Sequence, residues 1–189
     1  MQALDVALFA LINAGVTAPA RSIHFARFAS DVLPTLLAVA IMGGAALDRR
    51  LRYAFFTALV SVLAVWLFVN LLRSALPFQR PAFYGLGIQW APQGARPGFP
   101  SLHAAGTFAA AFSLWCLPWR APMFAALVLA AVVGWSRVFL GLHFPIDVAV
   151  GAMLGALVSI VVERRVSRPL NLALRAYMRP RLRARRSQA

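Results

Sequence analysis

The sequence predicts an all-α, polytopic membrane helix bundle of about six transmembrane helices. Three observations carry that expectation. Hydrophobic residues fill 61% of the 189 positions and the mean hydropathy is +0.75, well beyond the roughly 45–50% apolar content of soluble domains. The apolar residues gather into runs close to the about 17–25 residues needed to cross a hydrocarbon layer. The basic residues are distributed unevenly among the segments joining those runs, which gives the bundle an orientation.

The first run, residues 4–16, precedes Thr17-Ala18-Pro19-Ala20, a tripeptide pattern like a signal cleavage site. No basic residue comes before it and Asp5 lies within it, so it reads as a short first helix, spanning or half-inserted, rather than a cleaved leader. The runs that follow are 32–47, 53–72, 104–119, 121–135 and 144–162. The runs 53–72 and 144–162 are long enough outright, and the others need flanking residues to complete them. The chain divides into a transmembrane domain, 1–163, and a basic tail, 164–189.

All 19 basic residues are arginines, against five acidic ones, for a net charge of +14. Nine (Arg164, Arg165, Arg168, Arg175, Arg179, Arg181, Arg183, Arg185 and Arg186) follow the last run. Such a tail stays in the cytoplasm, making this a multi-pass membrane protein with its C-terminus inside. Counting back puts the turns with Arg49, Arg50, Arg52 and Arg120 inside as well. Arg21, Arg27, Arg73, Arg80, Arg96 and Arg137 are left outside, against the usual bias. The tail suits anionic headgroups of membrane lipids rather than nucleic acid, with Leu170, Leu174 and Met178 as an apolar stripe for lying in the interface. The single Cys116 excludes a disulfide within the chain and reads as core packing.

Three external clusters hold the chemically suggestive residues. In the first, Arg73-Ser-Ala-Leu-Pro-Phe-Gln-Arg80-Pro81, two guanidinium forks match phosphate oxygens, although Arg73 alone also fits an interface anchor. In the second, Gly98-Phe99-Pro100-Ser101-Leu102-His103, Ser101 is placed to cap a helix whose free N–H groups attract an anion, with His103 as a proton donor. The third, Ser136-Arg137-Val-Phe-Leu-Gly-Leu-His143-Phe-Pro145-Ile-Asp147, puts Arg137, His143 and Asp147 at the edge of an apolar run. A charge costs about 2.5–3.5 kcal/mol at a membrane helix centre, so such residues mark a pathway or a site. The four-residue spacing of His143 and Asp147 lets a carboxylate hold one ring nitrogen and free the other, if the helix reaches back to His143.

Together R-x6-R-P, P-S-L-H and S-R-x5-H-x3-D resemble the three-part signature of the phosphatidic acid phosphatase type 2 superfamily, over Arg73 to Asp147. The size and six-run layout further resemble its bacterial undecaprenyl diphosphate phosphatases. The chain departs from that pattern twice, with Arg73 where the family has lysine and Leu102 where it has glycine. The resemblance implies that His143 is the nucleophile, that Asp147 orients it, and that His103 protonates the leaving group and then activates water. Arg73, Arg80, Ser101, Leu102 and Arg137 would hold the phosphoryl group, with no metal or other cofactor. It implies a lipid phosphate substrate, first of all undecaprenyl diphosphate. Phosphatidylglycerophosphate, phosphatidate or lipid A phosphatases, or a lipid phosphotransferase, would need the same residues; a non-catalytic lipid transporter would not need His143 and Asp147 so spaced. Gly151 and Gly155 suit close helix packing, Trp115, Trp119 and Trp135 read as interface anchors, Trp90 as bordering the substrate mouth, and residues 82–99 as the headgroup-selecting loop.

Overall fold

The computed structural model describes residues 3–94 and 97–173. Arg96 and most of the arginine tail, with Leu174 and Met178 of its apolar stripe, lie outside them. The described residues form seven helices and no strand: α1 (Ala3–Ile12), α2 (Ala20–Asp31), α3 (Leu33–Leu47), α4 (Arg49–Ala75), α5 (Leu102–Ser113), α6 (Ala121–Phe139) and α7 (Pro145–Val162). Short 3-10 turns follow at Pro81–Tyr84 and Leu114–Cys116, and α7 passes through a π turn at Glu163–Ser167. Backbone helix then continues to Ala173, so no break separates the apolar body from the start of the basic segment.

Among the described residues, three helices are long and apolar enough to cross a membrane, and α2 with α3, bent by 43°, makes a fourth candidate. With α5 and its 3-10 extension shorter, the six-run expectation is met only in part. The first run differs most. Asp5 accepts a hydrogen bond from the Ile146 amide at the start of α7 (3.0 Å), while the Ala14 amide, just past the end of α1, donates to the Phe139 carbonyl at the end of α6 (2.9 Å). Both ends of α1 therefore sit at the same end of the bundle, and the helix lies across it. With only 10 residues it is about 15 Å long, half of a bilayer core.

Sequence periodicity explains α2, which the apolar runs do not reveal. Ile23, Ala26, Ala29 and Ser30 are buried in an otherwise polar helix, at spacings that share one face. That face packs on α6. The interior continues with Leu37, Ile41, Ala58, Leu114, Met123 and Ala126 between α3, α4, α5 and α6. Leu59, Leu63, Trp66, Leu67 and Leu71 on α4 and Met153, Leu157 and Val161 on α7 are exposed. Exposed apolar faces of this extent belong against lipid.

The tightest packing joins α5 and α7, which run parallel. A Cβ on Gly151 would lie 2.6 Å from the Ser101 carbonyl oxygen and one on Gly155 2.2 Å from that of Ala105. One turn further, the Ser113 and Ser159 hydroxyls hydrogen bond at 3.1 Å. Only glycine permits this approach, and it brings the starts of α5 and α7 to the same level, where the Ser101 amide donates to the Asp147 carbonyl (2.9 Å).

Candidate active site

The end of α6 and the start of α7 are joined by a tight turn. Gly141 takes a left-handed φ of 74°, its amide bonds the Val138 carbonyl at 2.9 Å and that of Leu142 bonds the Arg137 carbonyl at 3.0 Å. This double closure ends the helix with a glycine where L-residues are strained. Phe144, extended at φ −74° and ψ 154°, then caps α7, with Pro145 in its first position. The helix therefore does not reach back to His143, contrary to the simplest reading of the four-residue spacing. The turn itself folds His143 under the helix start, where its Nδ1 is 3.2 Å from Asp147 Oδ2. The same oxygen accepts the Phe144 amide at 3.0 Å.

The other ring nitrogen faces an arginine. Arg80 Nη1 lies 3.3 Å from His143 Nε2 and donates to the Leu142 carbonyl at 3.0 Å. A guanidinium only donates and a carboxylate only accepts, so the proton belongs on Nδ1 and the lone pair on Nε2. His143 is buried (1% exposed), and its pKa lies well below the ordinary 6.5 because burial penalises the charged ring, with the charges of Arg80, Arg137, Arg73 and His103 adding to that. The neutral imidazole is thus its resting form at neutral pH. Arg80, pulled down to about 10 chiefly by burial and then by Arg73, remains a cation.

The remaining predicted residues converge on this pair. Arg73, at the end of α4, reaches across to donate to the Pro100 carbonyl (2.8 Å), which ties the first cluster to the second. Arg137 is buried in the last turn of α6, donating to Gln93 Oε1 at 2.8 Å and to the Ser30 hydroxyl. Ser101 occupies the N-cap position of α5 but its hydroxyl makes no capping bond. Ser101 Oγ and Arg137 Nε are buried without a hydrogen-bond partner among the described residues. An unmet buried donor costs about 1–3 kcal/mol, and two in one basic chamber fit a site that an anion completes. Leu102 starts α5 without a positive φ, so replacing glycine introduces no backbone strain. His103, half-buried in the first turn of α5, lines a slot between α3, α4 and α5.

Three supporting residues carried little signal in the sequence. Asn13 donates to the Ile88 (3.0 Å) and Phe139 (3.1 Å) carbonyls and accepts from the Ile88 amide at 2.8 Å, fastening the 76–100 loop to the turn after α6. Its one clue was an amide inside an apolar run. Ser30 and Gln93, which hold Arg137, had none. The Trp90 indole N–H donates to the Ala14 carbonyl at 2.7 Å, and the ring packs beside Ile23, Ala26, Leu140 and Leu142.

An apolar helix bundle with a neutral His–Asp pair facing buried arginines at one end defines a membrane phosphatase. The chain belongs to the PAP2 superfamily, whose family model matches residues 51–169, and is a phosphatase of that family, a hydrolase acting on phosphate esters. Its fold is that of Aquifex aeolicus LpxE, whose crystal structure superposes with a TM-score of 0.70 at 24% identity over 86% of this chain and 96% of that one. Among curated proteins, it is 33% identical over 189 aligned residues to YbjG of Escherichia coli (strain K12), provisionally named an undecaprenyl-diphosphatase, covering 95% of this chain and 92% of that protein. It is 34% identical over 130 residues to the decaprenylphosphoryl-5-phosphoribose phosphatase of Mycobacterium tuberculosis (strain ATCC 25618 / H37Rv), covering 67% of this chain and 69% of the relative.

Proposed function

We propose that the protein removes the terminal phosphate of a polyprenyl (pyro)phosphate, first of all undecaprenyl diphosphate to undecaprenyl phosphate, through a phosphohistidine at His143. The observation that carries the reading is the division of labour on one ring, with Nδ1 held by Asp147 and the Nε2 lone pair exposed to Arg80.

In the first step Nε2 attacks the terminal phosphorus, the bond to the bridging oxygen breaks, and His103, protonated once the anionic diphosphate is bound, gives that oxygen its proton and becomes neutral. In the second, His103 takes a proton from water, hydroxide attacks the phosphohistidine, and inorganic phosphate leaves as the P–N bond breaks. Asp147 stabilises the charge that the ring gains on phosphorylation. Arg73, Arg80, Arg137, Ser101 and the Leu102 amide bind the phosphoryl oxygens, on which charge builds in the transition state. The curated relatives aligned over about two thirds or more of the chain are named for polyprenyl substrates, which favours a prenyl chain over a diacylglycerol.

The arginine-rich ends of the bundle support an inside C-terminus, a cytoplasmic tail over 164–189 and a site on the periplasmic face of the inner membrane. The test is inorganic phosphate release by purified protein in detergent with chelator, over a panel of undecaprenyl diphosphate, phosphatidylglycerophosphate, phosphatidate and lipid A. Undecaprenyl diphosphate should be the best substrate, and His143→Ala should abolish turnover. Activity surviving that substitution sinks the mechanism, preference for another lipid corrects the substrate, and binding without turnover would make the chain a lipid-binding protein.

A further inference from the structure

Two cavities flank the site, one lined by Asp147 and the other by His103, and they differ in which side of the chemistry they touch. The larger, about 540 Å³, lies between α1, residues 78–84, Phe99 and the start of α7, with Leu8, Phe78, Phe144 and Ile146 in its walls and the carboxylates of Asp5 and Asp147 at its edge. The smaller, about 270 Å³, lies between α3, α4 and α5, with Leu37, Ala38, Val62, Leu102 and Ala110 in its walls and His103 beside them. The hydroxyl in the smaller one, on Thr107, is turned back to the His103 carbonyl (2.8 Å), which leaves the walls apolar.

We infer that the leaving lipid's single, methyl-branched chain lies in the slot between α3, α4 and α5, and not in the larger cavity beside Asp147. The inference rests on His103 acting as the general acid. A group that protonates the bridging oxygen must lie within about 2.6–3.2 Å of it, and the lipid begins at that oxygen, so the chain starts where His103 is. The larger cavity is lined by Asp147, the residue that holds Nδ1. A lipid there would bring its phosphate towards two carboxylates and away from Nε2. At about 270 Å³ the slot is also small, below the about 300–1,000 Å³ of sites for drug-sized ligands, which suits one chain better than a pair of acyl chains. Gly106 opens its wall: a Cβ built there meets no atom within 4 Å.

Gly106 is therefore the residue at which the slot can be closed without disturbing the fold, since a helix interior favours a larger residue over glycine. Gly106→Leu should lower kcat/KM for a long-chain prenyl diphosphate by at least about tenfold, the scale at which pocket-filling changes discriminate substrates. It should leave a single-isoprenoid diphosphate unaffected. Ala149→Leu, which fills the larger cavity, should change neither. With the unsubstituted chain, a prenyl diphosphate carrying a photoreactive chain should form adducts on Leu37, Ala38 or Ala110. Equal loss on both substrates in Gly106→Leu, or adducts on Leu8 and Phe78, overturns the inference. Absence of phosphate release from any prenyl diphosphate would instead overturn the catalytic reading, while the adduct positions would still decide where the chain lies.

Discussion

At His143 a tautomer is set by its neighbours. Asp147 accepts on one side and Arg80 donates on the other, while burial and the surrounding arginines keep the ring uncharged. Because the pKa is depressed, the reactive neutral form persists as pH falls below 6.5 and is lost only on further acidification. Arg80→Gln removes the nearest positive charge, so the His143 pKa should rise and the acid limb of kcat/KM should move to higher pH. The same substitution should lower kcat by about 10²–10³-fold through loss of an oxyanion donor. An acid limb that stays in place would mean that His143 does not set it. His103→Asn should cost about 10²–10⁴-fold on a lipid substrate. An aryl phosphate, whose leaving group needs no proton, should lose far less, and equal losses on both substrates would remove His103 from the acid role.

Helix pairing explains why these residues meet although 74 positions separate Arg73 from Asp147. The glycines of α7 seat it against α5, which fixes the second cluster beside the third, and Arg73 ties in the first through the Pro100 carbonyl. Gly155→Leu should destabilise the fold by about 1–3 kcal/mol, the usual cost of overpacking, read as a lower midpoint of thermal unfolding in detergent. Asn13→Ala should cost a similar about 1–3 kcal/mol by leaving buried carbonyl and amide groups of the loop unmet. An unchanged midpoint in either variant would contradict the packing described. The motif spacings made legible in the sequence which residues gather at one end of the bundle, because local turns and caps dictate them. Residues such as Ser30 and Gln93 were not legible, since they matter only through the tertiary contact each makes with Arg137. The length of α1 was ambiguous for a related reason: a ten-residue apolar helix has the same composition whether it enters the bilayer or lies across a bundle.

Across the whole molecule, charge is sorted by end. Arg49, Arg52, Arg120, Arg164, Arg165 and Arg168 gather at the end opposite the histidine pair, as expected of a cytoplasmic face. The arginines at the site end include Arg73, Arg80 and Arg137, which are engaged with the loops and the site. In a background lacking Cys116, a cysteine at position 92 should react with a membrane-impermeant maleimide in intact cells, and one at position 168 only after permeabilisation. The reverse pattern would invert the topology. The bend between α2 and α3 was hidden from the sequence, because a polar helix packed by a few small residues carries no apolar run. The account as a whole turns on covalent chemistry at one nitrogen, which trapping with a phosphate-labelled substrate reads directly. Alkaline quench during turnover, followed by peptide mass spectrometry, should place the phosphate on His143 in the wild type and nowhere in His143→Ala. A phosphorylated residue other than His143, or full turnover with no phosphoenzyme under conditions that preserve phosphohistidine, would contradict it.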